Sequence, residues 1–360
     1  MRARVAVLGA LWVAGTLMVA AGALANEGKP SKGGSGPGGA SSSQPGGGPG
    51  AEGGRPMGAE GRSGGTEASG EQEQETPFRV GLDVVVGTGQ TAIANSAQPT
   101  AVEAAPGNTL GTSQVTTESL LVGASVEVHD FEFGARIPLT FGQINPTGEA
   151  SRAISAFGNL ELEVEYTHHF SEALALRYAL GIALPTAQGQ DVPAKASDLV
   201  INANGIIDQS SYDRGVLNLA AASSRGLEET ALFEVSRFGI VPKVELVYEK
   251  RGLVLEPYVK LENLIDTSGK ADHKYLGELV IGGRVAYRLL KHVEPTVRIW
   301  TNLRGELTGI SEDKPVAAVE PQLRFPFHNV TGIVGGILPF AGPLTSPYFL
   351  GIRAGLVVRF

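Results

Sequence analysis

Glu161, Glu163 and Glu165 are the first residues in this sequence whose types and spacing could do chemistry. Paired carboxylates perform general acid–base work when a cleft brings two of them to one bond. Here Leu160, Leu162, Val164 and Tyr166 alternate with them, which is the period of a strand with one greasy and one acidic face. That arrangement makes a row rather than a cleft. The histidines offer less. His129, His168, His169, His292 and His328 fall at short turns between alternating segments. The adjacent His168 and His169 would point to opposite faces of a strand, which does not suit a metal. Gly87-Thr88-Gly89 lacks the further glycines and the following helix of a phosphate loop. A nucleophile needs a base within reach, and no such pair emerges. The expectation is a non-enzyme with no catalytic residue, no metal and no other cofactor.

The same alternation runs through most of the chain from Phe78 onward and places these residues on strands. Phe78, Val80, Leu82, Val84 and Val86 share one face, with Arg79, Gly81, Asp83 and Gly87 on the other. Similar segments follow at 120–128, 131–141, 160–166, 174–184, 240–248, 253–261, 279–289, 293–299, 319–325 and 330–340, the last too rich in glycine to assign its facing. The closing stretch ends on an aromatic residue, with Leu350, Ile352, Ala354, Leu356 and Val358 on the greasy face. Connections alternate between short turns (129–130, 168–171, 250–252, 291–292, 328–329) and mostly longer loops (89–116, 142–156, 186–237, 266–275, 303–315, 341–346). Short turns at one end and long loops at the other are the signature of a transmembrane barrel with its long loops outside the cell. The expected fold is therefore all-β: a transmembrane antiparallel up-and-down β-barrel of twelve strands over 77–360. Phe78, Phe131, Tyr166, Tyr248, Tyr287, Phe325, Phe327 and Phe360 fall on outward positions near the short-turn end, as an interfacial girdle does. Pro257 and Pro321 sit inside strands, where each removes a ladder donor, and bulges are expected there. Loop 186–237 is too long for an ordinary connection. It either folds into the lumen as a constriction or stands above the rim. Leu199-Val200-Ile201 with Val216-Leu217-Asn218-Leu219 would otherwise add a strand pair, giving fourteen.

The N-terminus fits such a protein. Arg2 and Arg4 precede an apolar run from Val5 to Ala21, and Ala23-Leu24-Ala25 has the small-x-small pattern of a cleavage site, so 1–25 reads as a removed export signal. Residues 26–76 are dominated by Gly, Ser and Pro, bury nothing, and read as a disordered periplasmic leader. The chain has no cysteine and a net charge of -8, which argues against thiol chemistry and against nucleic acid as a partner. After the signal no apolar run is long enough for a membrane helix.

Inward positions carry charge: Glu161, Glu163, Glu165, Lys243, Glu245, Glu256, Lys260, Glu262, Arg284, Arg288, Arg298, Arg324 and Arg353 are the lumen-lining candidates. Two readings stand. Opposed walls, with the 161–165 row facing Arg298, Glu320 and Arg324 across the ring, would set up a transverse field. Alternatively, neighbours such as Lys260 with Glu245, or Arg136 with Glu163, neutralise one another along the wall. Neither reading selects anions or cations. Elsewhere the wall is small: Gly81, Gly87, Gly123, Ser125, Gly134, Gly351 and Gly355 leave space.

Two stretches carry resemblances. Tyr348, Leu350, Ile352, Leu356, Val358 and Phe360 resemble the terminal recognition signal of bacterial outer-membrane barrels, which implies the barrel assembly machinery as a partner. Phe157-Gly158-Asn159-Leu160 through Tyr166, followed by Leu174 through Leu184-Pro185-Thr186, resembles the core hairpin of transporter-type barrels grouped with meta-pathway phenol-degradation proteins. Ala187 stands where that pattern has glycine, and Asn159 where Asp is commoner. The likeness implies an outer-membrane channel for small molecules, aromatic or other hydrophobic compounds among them, and brings no catalytic residues. A structural or surface-presenting barrel with a plugged lumen is the alternative. An outer-membrane hydrolase comes third; the His-x-Ser-Asn-Gly motif of barrel phospholipases is absent. An even strand count leaves both termini in the periplasm, with outer-membrane lipid around the wall.

Overall fold

The computed structural model describes residues 78–93, 111–146, 150–192, 208–269, 274–304, 315–342, 344 and 349–360. The expected signal 1–25, the leader 26–76, Leu199-Val200-Ile201 and Tyr348 lie outside the described residues. Alternation of apolar and polar side chains becomes strand throughout: β1 (Phe78–Ile93), β2 (Gly111–Val128), β3 (Phe131–Pro146), β4 (Arg152–Phe157), β5 (Leu160–Ser171), β6 (Leu174–Leu184), β7 (Arg237–Lys250), β8 (Leu253–Asp266), β9 (Tyr275–Tyr287), β10 (Glu294–Arg304), β11 (Val316–Phe327), β12 (Val330–Ala341) and β13 (Leu350–Arg359). All pairings are antiparallel, and β13 returns to β1 from Arg79↔Arg359 to Thr88↔Leu350, which closes the ring. Closure pairs the first strand with the last and so removes the free sheet edges that an open sheet would present.

β4 and β5 share one place in this ring, so the barrel has twelve wall positions. β3 pairs with β5 through Phe131–Arg136 and with β4 through Leu139–Ile144. Two residues of β3 face three on the other side, which is a bulge at Gly158-Asn159. Gly158 N–H still donates to Pro138 O at 3.0 Å, whereas Asn159 N–H leaves the wall and donates inward to Leu232 O at 2.6 Å.

Burial alternates along the strands with the expected phase. Phe133, Leu162, Val244, Val259, Ile281, Val285, Ile299 and Leu323 are exposed on the outside, an apolar surface suited to lipid. β12 resolves as well: Thr331, Ile333 and Ile337 are buried inward, while Leu338 and Phe340 are exposed outward. At the short-turn end the Phe78 and Phe360 rings lie 6.0 Å apart, and Phe131 lies 4.9 Å from Tyr166.

Three expectations need correction. The fourteen-strand alternative fails because Val216-Leu217-Asn218-Leu219 lies within a helix, α1 (Gln209–Ser224). No register shift occurs at Pro257 or Pro321; a few neighbouring pairs drop out and the register continues, since each proline removes only one donor. β5 runs through His168 and His169 to Ser171, so those histidines pair with Leu176 and Ala175 rather than forming the turn. The strands beside the long loops also reach further than expected. β1 to β3 span 16, 18 and 16 residues, beyond the ~10 that cross a bilayer.

Candidate functional site

Residues 208–236, between β6 and β7, fill the upper lumen, and their sequence explains how. Asp208 caps α1 by accepting from Ser211 N–H at 3.3 Å. Leu217 to Ala222 then favour helix. The helix stops at Gly226, whose φ of 66° is open to glycine at little cost. There Leu227 N–H donates to Ala222 O at 3.0 Å and Gly226 N–H to Ser223 O at 2.9 Å, the paired bonds of a Schellman stop. A 3-10 turn, η1 (Thr230–Leu232), follows and leads into β7.

Apolar packing holds the plug at both ends, and the tip adds charge. At the long-loop end, Tyr212 and Val216 are fully buried with Val115, Leu121 and Ile144 of the wall, and Leu217 is fully buried as well, burial being worth about 1.5–3 kcal/mol for a Val or Leu side chain. The helix passes so close to β1 and β13 that a Cβ on Gly87 would overlap the Ser224 side chain, and one on Gly351 the Ser224 carbonyl. These wall glycines are therefore occupied rather than open. Asn218 ties the helix to the bulged strand by donating to Phe157 O at 3.2 Å and Gln188 O at 2.9 Å. Asn159 turns inward from the bulge and donates to Ala231 O at 2.8 Å and Glu234 O at 2.7 Å while accepting from Ala187 N–H.

At the tip, ionic contacts join the apolar packing of Leu227, Leu232 and Phe233. Arg225, fully buried, donates to Asp83 of β1 at 2.7 Å, to Glu229 at 2.8 Å and to Ser119 Oγ at 3.0 Å. Glu229 also meets Arg136 at 3.1 Å and Arg353 at 3.9 Å. Glu228 accepts from Arg298 and from the Tyr258 hydroxyl, the latter at 2.6 Å, and its carbonyl accepts from Lys260. Trp300 Nε1 donates to Gly226 O at 2.9 Å, and Asn302 donates to Leu227 O at 2.7 Å. Burial alone would raise the carboxyls of Glu228 and Glu229, yet both lie below the usual range. Arg298 and Lys260 outweigh burial for Glu228, as do Arg225, Arg136 and Arg353 for Glu229. Asp191, on the ascending arm of the plug, goes the other way: burial first, then Glu234 and Asp266, push it up to about 6 against the pull of Arg237.

The thirteen sequence candidates divide into two groups around this tip. Arg136 gathers Glu161 at 2.9 Å and Glu163 at 3.8 Å; Lys260 meets Glu262 at 2.6 Å; Arg298 meets Glu320 at 2.8 Å, and Arg353 meets the same carboxylate at 2.9 Å. Lys243 lies 3.0 Å from Glu245. Nearer the short-turn end, Arg177 sits among Glu165, Glu245 and Glu256, Arg284 is paired with Glu256 at 2.5 Å, Arg324 with Glu294 at 3.3 Å and Arg288 with Glu249 at 2.7 Å. The acidic row thus meets cations of adjacent strands, Arg136 of β3 and Arg177 of β6. Arg136 with Glu163 matches expectation; Lys260 turns to Glu262 and the plug instead of Glu245. Asp83, which strand alternation already turns inward, completes the site together with Arg225, Glu228, Glu229, Tyr258, Trp300 and Asn302, whose roles depend on where the plug sits. A cavity of about 100 Å³ remains between the tip and the wall of β5 to β10. A space of this size lined by charged side chains is large enough to hold several ordered waters.

No family model matches the chain, and no curated protein sequence matches it. Among solved structures, it is similar to an outer membrane channel from Pseudomonas putida F1 at 11% identity and a TM-score of 0.47, covering 82% of this chain and 100% of that one. It is also similar to the NanC porin (9% identity, TM-score 0.40, 78% and 100% covered) and to a TodX monoaromatic hydrocarbon channel mutant (8% identity, TM-score 0.39, 80% and 90% covered). Likenesses this distant carry no weight for function, which must come from the lumen itself.

Proposed function

We propose that this chain is an outer-membrane channel for small molecules, held shut by its own segment 186–237. The observation that carries this reading is the nature of the plug's lower seat. A permanently filled barrel would be expected to weld its interior with dry apolar packing alone, whereas residues 225–234 combine the buried side chains of Leu227, Leu232 and Phe233 with ion pairs beside a polar cavity. Ion pairs in a lumen exchange for water or solute at little net cost, since removing both charges from water is itself expensive. In this proposal a cleaved signal exports the chain, the barrel assembly machinery recognises the Phe360 terminus, both termini stay periplasmic and outer-membrane lipid surrounds the wall. It has no catalytic role and no nucleic-acid partner. Aromatic or other hydrophobic solutes rest on the hairpin likeness at 157–186 alone.

The close fit of α1 against Gly87 and Gly351 favours a second reading, a structural barrel that stays plugged. Planar-bilayer recordings separate the two. The full chain should conduct rarely, and a variant with 208–236 replaced by a short Gly-Ser linker should conduct steadily. A linker variant that forms a heat-modifiable barrel yet never conducts would sink the channel reading.

A further inference from the structure

The geometry points to an organic-anion site at the plug tip, where Arg136, Lys260, Arg298 and Arg353 would bind the carboxylate of a small solute in place of Glu228 and Glu229. This deepens the channel proposal and rests on it for its physiological meaning.

The wall around the tip carries both signs, and their depth decides which one a solute would meet. Arg136, Arg298 and Lys260 keep 15, 13 and 12% of their side-chain surface accessible. The wall carboxylates behind them, Glu161, Glu320 and Glu262, keep 4, 0 and 1%. Lys243 and Arg284 repeat the pattern over Glu245 and Glu256, at 18 and 11% against 6 and 5%. Carboxylates anchored in the wall thus hold cations forward into the lumen. Two residues depart from the pattern: Glu163, at 21%, faces the same space, and Arg353, at 2% against 9% for Asp83, stays behind the seated tip.

What occupies this cationic surface is a pair of adjacent carboxylates, Glu228 and Glu229, carried on a loop. Both carboxyls lie below their usual range although Glu228 is buried and Glu229 partly so, because the cations around them make the local potential positive. Tyr258 adds a neutral donor aimed at the same carboxylate. Four cations from β3, β8, β10 and β13, with a phenol between them, form a carboxylate-binding constellation that the chain fills with its own side chains. An incoming carboxylate competes for these donors and releases the tip, which links the solute to opening. A ligand shifts such an equilibrium only through its preference for one state, and here the sites overlap, so the preference is complete.

Trp300 reports on this exchange, since its indole donates to Gly226 and stacks 5.5 Å from the Arg298 guanidinium. Trp12, the other tryptophan, lies within the expected signal 1–25, so the protein after signal removal carries Trp300 as its one indole. Titration with cyclohexanecarboxylate or succinate should give a saturable shift of Trp300 emission, and neutral cyclohexanol should give none. R298Q should weaken binding by about tenfold or more, the worth of one charge-assisted hydrogen bond. E228Q/E229Q removes the internal competitor and should tighten binding by a similar factor, a change that misfolding cannot imitate. In bilayers the linker variant should favour anions. A conducting barrel with no carboxylate response and no anion preference overturns the anion site alone. Saturable carboxylate binding with a silent linker variant supports the site and overturns the channel reading.

Discussion

Arg225 Nη1 donates to Asp83 Oδ2 at 2.7 Å, joining the end of the plug helix to the first strand across 142 positions of chain. Asp83 in turn lies 3.3 Å from Arg353 of the last strand. One carboxylate therefore spans the seam where the barrel closes and also holds what fills it. Arg225 is fully buried, and a buried guanidinium is tolerated only when its donors are met. Asp83, Glu229 and Ser119 meet them.

R225Q and D83N should each release the tip from this seam. Removing one partner of a buried pair costs about 3–5 kcal/mol, because the other charge is left stranded. The cost falls on the seated plug and not on the barrel, whose ladders are unchanged. The expected result is a larger open probability in bilayers and faster protease cleavage within 208–236, with heat-modifiable barrel at the wild-type level. The double variant R225Q/D83N should be closer to wild type than the two single effects added together, since neither charge is then stranded. Additive single effects would show that the two residues do not act on the plug through each other.

G87V tests the upper seat by shape alone. A Cβ at that position overlaps Ser224 Oγ and Cβ, and the Leu350 carbonyl oxygen lies 3.2 Å from it. The substitution should expel the C-terminal turn of α1 while β1 keeps its pairing with β2 and β13, since the Val side chain is well suited to a strand. Protease access to 209–224 should rise at least tenfold, a displacement of more than about 1.4 kcal/mol. Adding S224G removes both overlapping atoms and should restore part of the protection. If G87V leaves access unchanged, α1 is not held against β1 in solution.

The wall was legible in the sequence and the plug was not, for one physical reason. Strand alternation is a local signal: Leu162, Val164 and Tyr166 reveal their lipid face without knowledge of any partner. The twelve wall positions, the girdle and the inward phase of Arg298 or Glu262 all follow from it. Residues 208–234 have no strand to alternate with, and their greasy positions, Tyr212, Val216 and Leu217, are too few to set a period alone. Asp208 before a Leu- and Ala-rich run, and Arg225-Gly226 after it, were the available helix start and stop signals. The ionic partners remained hidden for a different reason. Adjacent-strand pairing can be inferred from register, but Glu228 with Arg298, 70 positions apart, depends on how deeply the loop descends.

Asp191 should make plug closure depend on pH. Burial, with Glu234 and Asp266 adding to it, raises its pKa from 3.8 to about 6 in the seated plug, and Arg237 only partly offsets this. A raised carboxyl binds its proton more tightly in the seated state than in the released one. Its contribution is therefore fully present below about pH 3.8 and is lost as pH rises through 6. Glu228 and Glu229 have the opposite sign: their pairing stabilises the seated plug above the ordinary value of 4.5 and fades only in stronger acid. Between them lies a window, about pH 4.5 to 6, in which closure is firmest. Open probability should accordingly rise as pH goes from 5 to 7.5. D191N, which mimics the protonated form without titrating, should flatten that rise and hold the channel in its acid-side state at pH 7.5. A rise that persists unchanged in D191N would assign the pH dependence to another group.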